Sequence, residues 1–132
     1  MLGEVIGEGR GKRIVRRTLS SDPLKVEVSF EDAGKVLGVD YTGFGTYCSE
    51  VRSDGTLYGE GEGAYLTRDG EIVSWRGSGL GRLREGGAVS YRGMLYFRTP
   101  SQKLARLNTV GGVFEYDVEA DGTTYAKIWE WK

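Results

Sequence analysis

Histidine is absent from this 132-residue chain, and cysteine occurs once, as Cys48. Without histidine there is no side chain whose ordinary pKa lies near neutrality, and no imidazole to ligate zinc. A lone cysteine forms no intrachain disulfide and, with no histidine beside it, leaves no set of residues for a structural zinc site. Neither metal nor cofactor is expected. Charge of one sign is also missing: 18 basic residues face 19 acidic ones. A strongly basic face is therefore not demanded, and nucleic acid is not an expected partner. The local exception is Arg10, Lys12, Arg13, Arg16 and Arg17, with no acid between Glu8 and Asp22. We read this run as a solvated strand rim, the alternative being contact with an anionic surface. No apolar run approaches the roughly 20 residues of a membrane helix. The start, Met1-Leu2-Gly3-Glu4, lacks the basic-then-apolar pattern of a secretory leader. No membrane partner is expected, and the expected compartment is the cytoplasm.

Glycine, in contrast, is abundant, at 22 residues. Three stretches place it at every second position: Gly7, Gly9, Gly11; Gly59, Gly61, Gly63; and Gly77, Gly79, Gly81. A period of two is the period of a strand, whose successive side chains point to opposite faces. Glycine weakens a flat strand by roughly 0.5–1 kcal/mol relative to alanine, so a bare face is expected to serve curvature. Residues 1–132 are accordingly expected to form one all-β domain, an eight-stranded antiparallel up-and-down barrel. The stretch around residues 101–108, with Leu104 and Leu107 three apart, is expected to be a short helix or 3₁₀ turn across one barrel end.

Turn signals divide the extended runs at Ser20 to Pro23, Glu31 to Gly34, Asp54-Gly55, Asp69-Gly70, Gly86-Gly87 and Asp121-Gly122. Taken as two-residue type I′ loops, the Asp-Gly pairs set the registers. Leu66 then faces Val73, Ala64 faces Trp75, Tyr47 faces Glu62, and Phe114 faces Trp129. The more apolar surface, assigned to the interior, gathers Tyr47, Val51, Tyr58, Ala64, Leu66, Val73 and Trp75, with Glu60 and Glu62 among them. A slip of one residue would turn such a face over.

On this register Glu60 and Glu62 are the candidate catalytic residues. Two carboxyls about 7 Å apart on one strand face, inside an aromatic wall, resist ionisation. A carboxyl kept protonated near neutrality serves as general acid or, once ionised, as base. The alternative places both at a wet rim, paired with Arg76, Arg82 or Lys127. Tyr47, Tyr58, Trp75, Phe114, Tyr116 and Trp129 are the candidate ligand-binding residues, or else packing. Trp129-Glu130-Trp131 reads as a stacking platform or as a last strand closing the barrel. The Gly-x-Gly runs are not phosphate cradles, because more strand follows them instead of a helix. Cys48 has no histidine to activate it and is expected to be inert.

The segments Gly45-Thr46-Tyr47, Asp54 to Gly61, Lys103 to Asn108 and Ile128 to Lys132 resemble a group of small uncharacterised prokaryotic β-barrel proteins. More loosely, the curved glycine-bearing strands resemble the allene oxide cyclase and dirigent barrels. That likeness implies eight antiparallel strands, an apolar guest in the lumen, a dimer or trimer, and cyclisation steered mainly by shape. It supplies no catalytic residue. Three readings remain open: a binder of a small apolar molecule, a cofactor-independent cyclase or isomerase using a lumenal carboxylate, and a packed oligomeric scaffold.

Overall fold

The structure is a computed structural model describing residues 1–132. Eight strands follow one another around a closed antiparallel barrel: β1 (Leu2–Ser21), β2 (Leu24–Val36), β3 (Val39–Val51), β4 (Leu57–Thr67), β5 (Ile72–Leu83), β6 (Val89–Arg98), β7 (Gly111–Val118) and β8 (Thr123–Trp131). Each strand pairs with the next, and β8 closes on β1, with Gly9 opposite Ala126 and Gly11 opposite Thr124. Closure removes the exposed sheet edges over the paired length.

Three hairpins share one loop geometry, which differs from the type I′ expectation. In each, three residues intervene: Ser53-Asp54-Gly55, Arg68-Asp69-Gly70 and Ala120-Asp121-Gly122. Backbone N–H groups of Gly55, Gly70 and Gly122 donate to the carbonyls of Arg52, Thr67 and Glu119. The only positive φ among these loop residues is at the glycine, between 86° and 91°. This is a type I turn closed by a left-handed glycine, which needs one permissive residue where type I′ needs two. The aspartates stay on the ordinary side of φ; Asp54 and Asp121 accept N–H bonds from Thr56 and Thr123, and Asp69 accepts the Thr67 hydroxyl.

The extra loop residue shifts each register by one. Tyr65, not Leu66, lies opposite Val73; Gly61, not Glu62, lies opposite Tyr47; Ile128, not Trp129, lies opposite Phe114. The side chains of β4 and β8 are therefore turned over relative to expectation. Tyr58, Glu60, Glu62, Ala64 and Leu66 belong to the outer face, and the glycines between them face the lumen. The one two-residue turn with both residues at positive φ is Leu37-Gly38, between Val36 and Val39. The expected break at Glu31 to Gly34 does not occur, and β2 runs straight through it.

The end of the barrel where β6 passes to β7 is plugged. A 3₁₀ turn over Ala105–Thr109 follows Leu104, in the stretch expected to be helical. Leu104 and Leu107 insert into a cluster with Ile6, Val36, Tyr65 and Phe97. The plug is tied down at its margins. Asn108 bonds the backbone of Thr99 in both directions, Lys103 pairs with Asp69 at 2.9 Å, and Arg106 bridges Glu4 and Glu130 where β1 meets β8. Leu107 is fully buried. Leu107→Ala is expected to cost about 2–5 kcal/mol through lost burial and an unfilled cavity, read as a lowered urea midpoint with an unchanged slope. At the opposite end the strands are joined by turns of two or three residues, too short to cross it.

Candidate functional site

Aromatic side chains from six strands meet inside the barrel. Phe30 on β2 stacks near Trp75 on β5, with centroids 6.2 Å apart and planes 26° apart. Tyr47 on β3 meets Tyr116 on β7 edge-to-face at 6.0 Å and Tyr91 on β6 at 5.7 Å. Lower down, Tyr41 and Tyr65 lie 4.3 Å apart. The glycine faces of β4 and β5 make room for these rings: an added Cβ at Gly63 would stand 2.5 Å from the Trp75 ring, and one at Gly79 would stand 3.0 Å from Phe114. Between the rings remains a cavity of about 80 Å³. That is space for several water molecules or for part of a small ligand.

Two acidic residues border this cavity, Asp32 and Glu60; Glu60 turns its carboxylate outward to the Tyr58 hydroxyl, which leaves the carboxyl of Asp32 facing inward. It arrives there because the alternation Val26, Val28, Phe30 continues in phase along β2. Its niche is made by missing side chains on both neighbouring strands. A Cβ at Gly9 would stand 2.7 Å from Asp32 Oδ2, and one at Gly43 would stand 2.8 Å from Oδ1. The Tyr41 hydroxyl donates to Oδ2 at 3.2 Å. Oδ1 is buried and has no hydrogen-bond partner in the protein. Burial raises the Asp32 pKa from its ordinary 3.8 to about 6, and the Tyr41 hydrogen bond opposes that shift. Removing a carboxylate from water disfavours its charged form unless donors replace the water.

A second orphan polar atom lies in the same wall. The Tyr116 hydroxyl is buried and makes no hydrogen bond, although the Thr124 and Tyr47 hydroxyls lie nearby. The phenol pKa values of Tyr41, Tyr47, Tyr65 and Tyr116 are all pushed up, first by burial. These tyrosines are therefore hydrogen-bond donors, not phenolates, near neutral pH. Tyr91 instead shares a 2.6 Å hydrogen bond with the Ser49 hydroxyl. Unpaired buried polar atoms are rare and call for an explanation. Here two of them border one apolar space, and one of the two belongs to the ionisable Asp32 carboxyl.

Of the residues singled out from sequence, Tyr47, Trp75, Phe114 and Tyr116 line the cavity. Glu60 also borders it along β4 but turns its side chain away, and Glu62 does not border it. Glu60 accepts a hydrogen bond from Tyr58 at 3.0 Å on the outside, and Glu62 pairs with Arg76 at 3.5 Å with its side chain 70% exposed. Tyr58 lies under the Arg52 guanidinium, and Trp129 lies under the Lys127 ammonium at 5.5 Å, both on the outer face. The one-residue register shift accounts for all four. Sequence reasoning misses Asp32 because Glu31-Asp32-Ala33-Gly34 resembles a turn. The signal that identifies it is the unbroken period of two from Val26 to Val36.

No protein-family model matches the chain, and no curated protein sequence matches it. Solved structures do match in fold. A protein of unknown function from Clostridium acetobutylicum superposes with a TM-score of 0.86 at 13% identity, over 98% of this chain and 99% of that one. A β-barrel-like protein from Acinetobacter baumannii gives 0.81 at 13% identity, over 99% and 96%. An enzyme from Penicillium herquei gives 0.66 at 16% identity, over 96% and 92%. At such identities the likeness is one of fold: this chain folds as small β-barrels of unknown function do, and as one enzyme does.

Proposed function

We propose that the barrel binds a small, largely apolar molecule and that Asp32 exchanges a proton with it, in a cofactor-independent isomerisation or cyclisation. The observation that carries this reading is the Asp32 carboxyl, which faces an aromatic cavity with one oxygen unpartnered and a pKa near 6. At that pKa both protonation states are accessible near neutrality, as a group that takes a proton at one atom and returns it at another requires. Such a step is neutral in electrons and needs no co-reactant. The Tyr116 hydroxyl is placed to donate to a guest oxygen, and the rings supply the apolar grip. This keeps the lumenal carboxylate of the allene-oxide-cyclase-like reading but moves it from Glu60 and Glu62 to Asp32.

Native mass spectrometry of the purified protein, followed by identification of any retained molecule, gives the guest. With it in hand, Asp32→Asn is expected to lower turnover by about 10²–10⁴-fold, the range for loss of a general acid–base, while binding persists. Glu62→Gln is expected to leave turnover unchanged. Binding without turnover in the unsubstituted protein leaves the carrier reading in place of the enzyme.

A further inference from the structure

We infer that Arg13 and Arg16 form an anion-binding rim over the lumen, so that its guest is a flat apolar molecule bearing one acidic group, such as a carboxylate. This rests on the lumenal reading above and adds the chemical class of the guest. Residues three apart in a regular strand face opposite sides. Here a bulge falls between Arg13 and Val15, so that Arg13 lies opposite Phe30 and Arg16 opposite Val28. Phe30 and Val28 are both buried inner-face residues of β2. The extra residue, Ile14, thus brings two guanidiniums to the same inner side, a re-aiming typical of bulges next to sites.

Their surroundings leave both cations free. Neither forms an ion pair; Glu27, the neighbouring acid on β2, pairs with Arg17 on the outer side, and Asp121 beside Gly122 is bonded to Thr123. Arg13 packs its side chain 3.7 Å from where a Cβ on Gly122 would stand, at the end of the β1–β8 pairing. Tyr47 stands opposite Val28 on β3 as Arg16 does on β1, and the fields of Arg13 and Arg16 partly offset the burial that raises its hydroxyl pKa. Arg16, Val28 and Tyr47 thus form one cross-strand row on the inner face at this end of the barrel, with Arg13 in the next row beside Phe30. Cations beside a low-dielectric wall attract an anion more strongly than the same cations in open water, and a guanidinium can hold a carboxylate through two parallel hydrogen bonds.

The spacing sets the length of the guest. Along β2, the partner of Arg13 is two residues from Asp32 and the partner of Arg16 is four. At about 3.3 Å per residue these are rises of ~7 and ~13 Å. A molecule of one or two fused rings, held by its acid at the rim, would present its far end to Asp32. The acid is then kept away from the Asp32 carboxylate, which it would otherwise repel.

The test uses 2-naphthoate and its uncharged isostere 2-naphthamide, titrated by calorimetry at low salt. The expected result is that naphthoate binds at least about tenfold more tightly than naphthamide, as a charge-assisted hydrogen bond implies. Arg13→Gln combined with Arg16→Gln is expected to abolish that preference while leaving the amide affinity within about twofold. Lys12→Gln combined with Arg17→Gln removes the same charge from the outer side and is expected to retain the preference; circular dichroism checks that both variants fold. Equal affinities in the unsubstituted protein, or a preference that survives in the Arg13/Arg16 variant, would overturn the rim while leaving the lumenal site standing. Failure of the unsubstituted protein to bind either molecule would overturn both.

Discussion

Gly34→Ala is expected to destabilise the barrel by about 3 kcal/mol, the upper end for an overpacked site and a large fraction of the stability of a domain this size. Gly34 on β2 lies directly opposite Gly9 on β1. A Cβ at position 34 would fall onto the Glu8 carbonyl oxygen and stand 2.7 Å from the Gly9 Cα. Both obstacles are backbone, so relief requires the two strands to part. Because the barrel is closed, parting them strains every other pairing around the ring, and overpacked sites of this kind relax poorly. The same arrangement recurs where Gly93 on β6 meets Gly79 on β5. Gly111 supplies the control. A Cβ there would meet only side-chain atoms at 3.7–3.8 Å, an ordinary contact. Gly111→Ala is expected to be neutral or stabilising by up to about 1 kcal/mol, through the restricted unfolded chain. Urea midpoints of the two variants check the contrast. Equal effects would mean that the Gly9–Gly34 approach does not hold the strands together.

Asp32→Asn is expected to stabilise the protein at pH 8 and to lose that advantage as the pH falls. The sign follows from linkage. Asp32 has a pKa of about 6 in the folded protein against 3.8 ordinarily. The folded state therefore binds the proton more tightly than the unfolded chain does. Below 3.8 the group is protonated in both states and imposes no penalty. Between 3.8 and about 6 the penalty grows, and above 6 it is full, at roughly 3 kcal/mol by the gap in pKa. Other carboxylates act in the opposite sense. Asp40, Asp54, Asp69 and Asp121 are held below their ordinary values, first by side-chain hydrogen bonds with Lys35, Thr56 and Thr67 and by the Thr123 backbone N–H respectively. Their contributions fade as they protonate in acid. They are common to both proteins and cancel in the difference. Urea unfolding of the two proteins from pH 3 to pH 8 should thus show curves that separate above pH 4 and run parallel above pH 7. A constant offset across that range would remove Asp32 from the account.

The barrel was legible in the sequence because its causes are local. Alternating glycines mark strands that must bend, tight turns separate them, and Leu104 and Leu107 mark the plug. The interior was only half legible. Trp75 and Tyr47 lie on strands whose inner phase was read correctly, whereas Glu60, Glu62 and Trp129 lie on the two strands turned over by the three-residue loops. A dipeptide such as Asp69-Gly70 fits both a two-residue and a three-residue loop. The choice is made by the residues facing each other across the hairpin. Seating Tyr65 opposite Val73 buries a ring and leaves Glu62 in water; seating Leu66 there would bury two carboxylates. A rule that polar turn residues end strands hid Asp32 altogether. The glycines that make its niche, Gly9 and Gly43, belong to other strands and become its neighbours only once the barrel closes.

Asp32 holds the one carboxyl that turns into the apolar lumen. Carbon-13 NMR titration of the side-chain carboxyl, assigned by its disappearance in Asp32→Asn, tests that placement most directly. A midpoint near pH 6 is predicted; a midpoint at 4 or below would place the carboxyl in water and contradict the site.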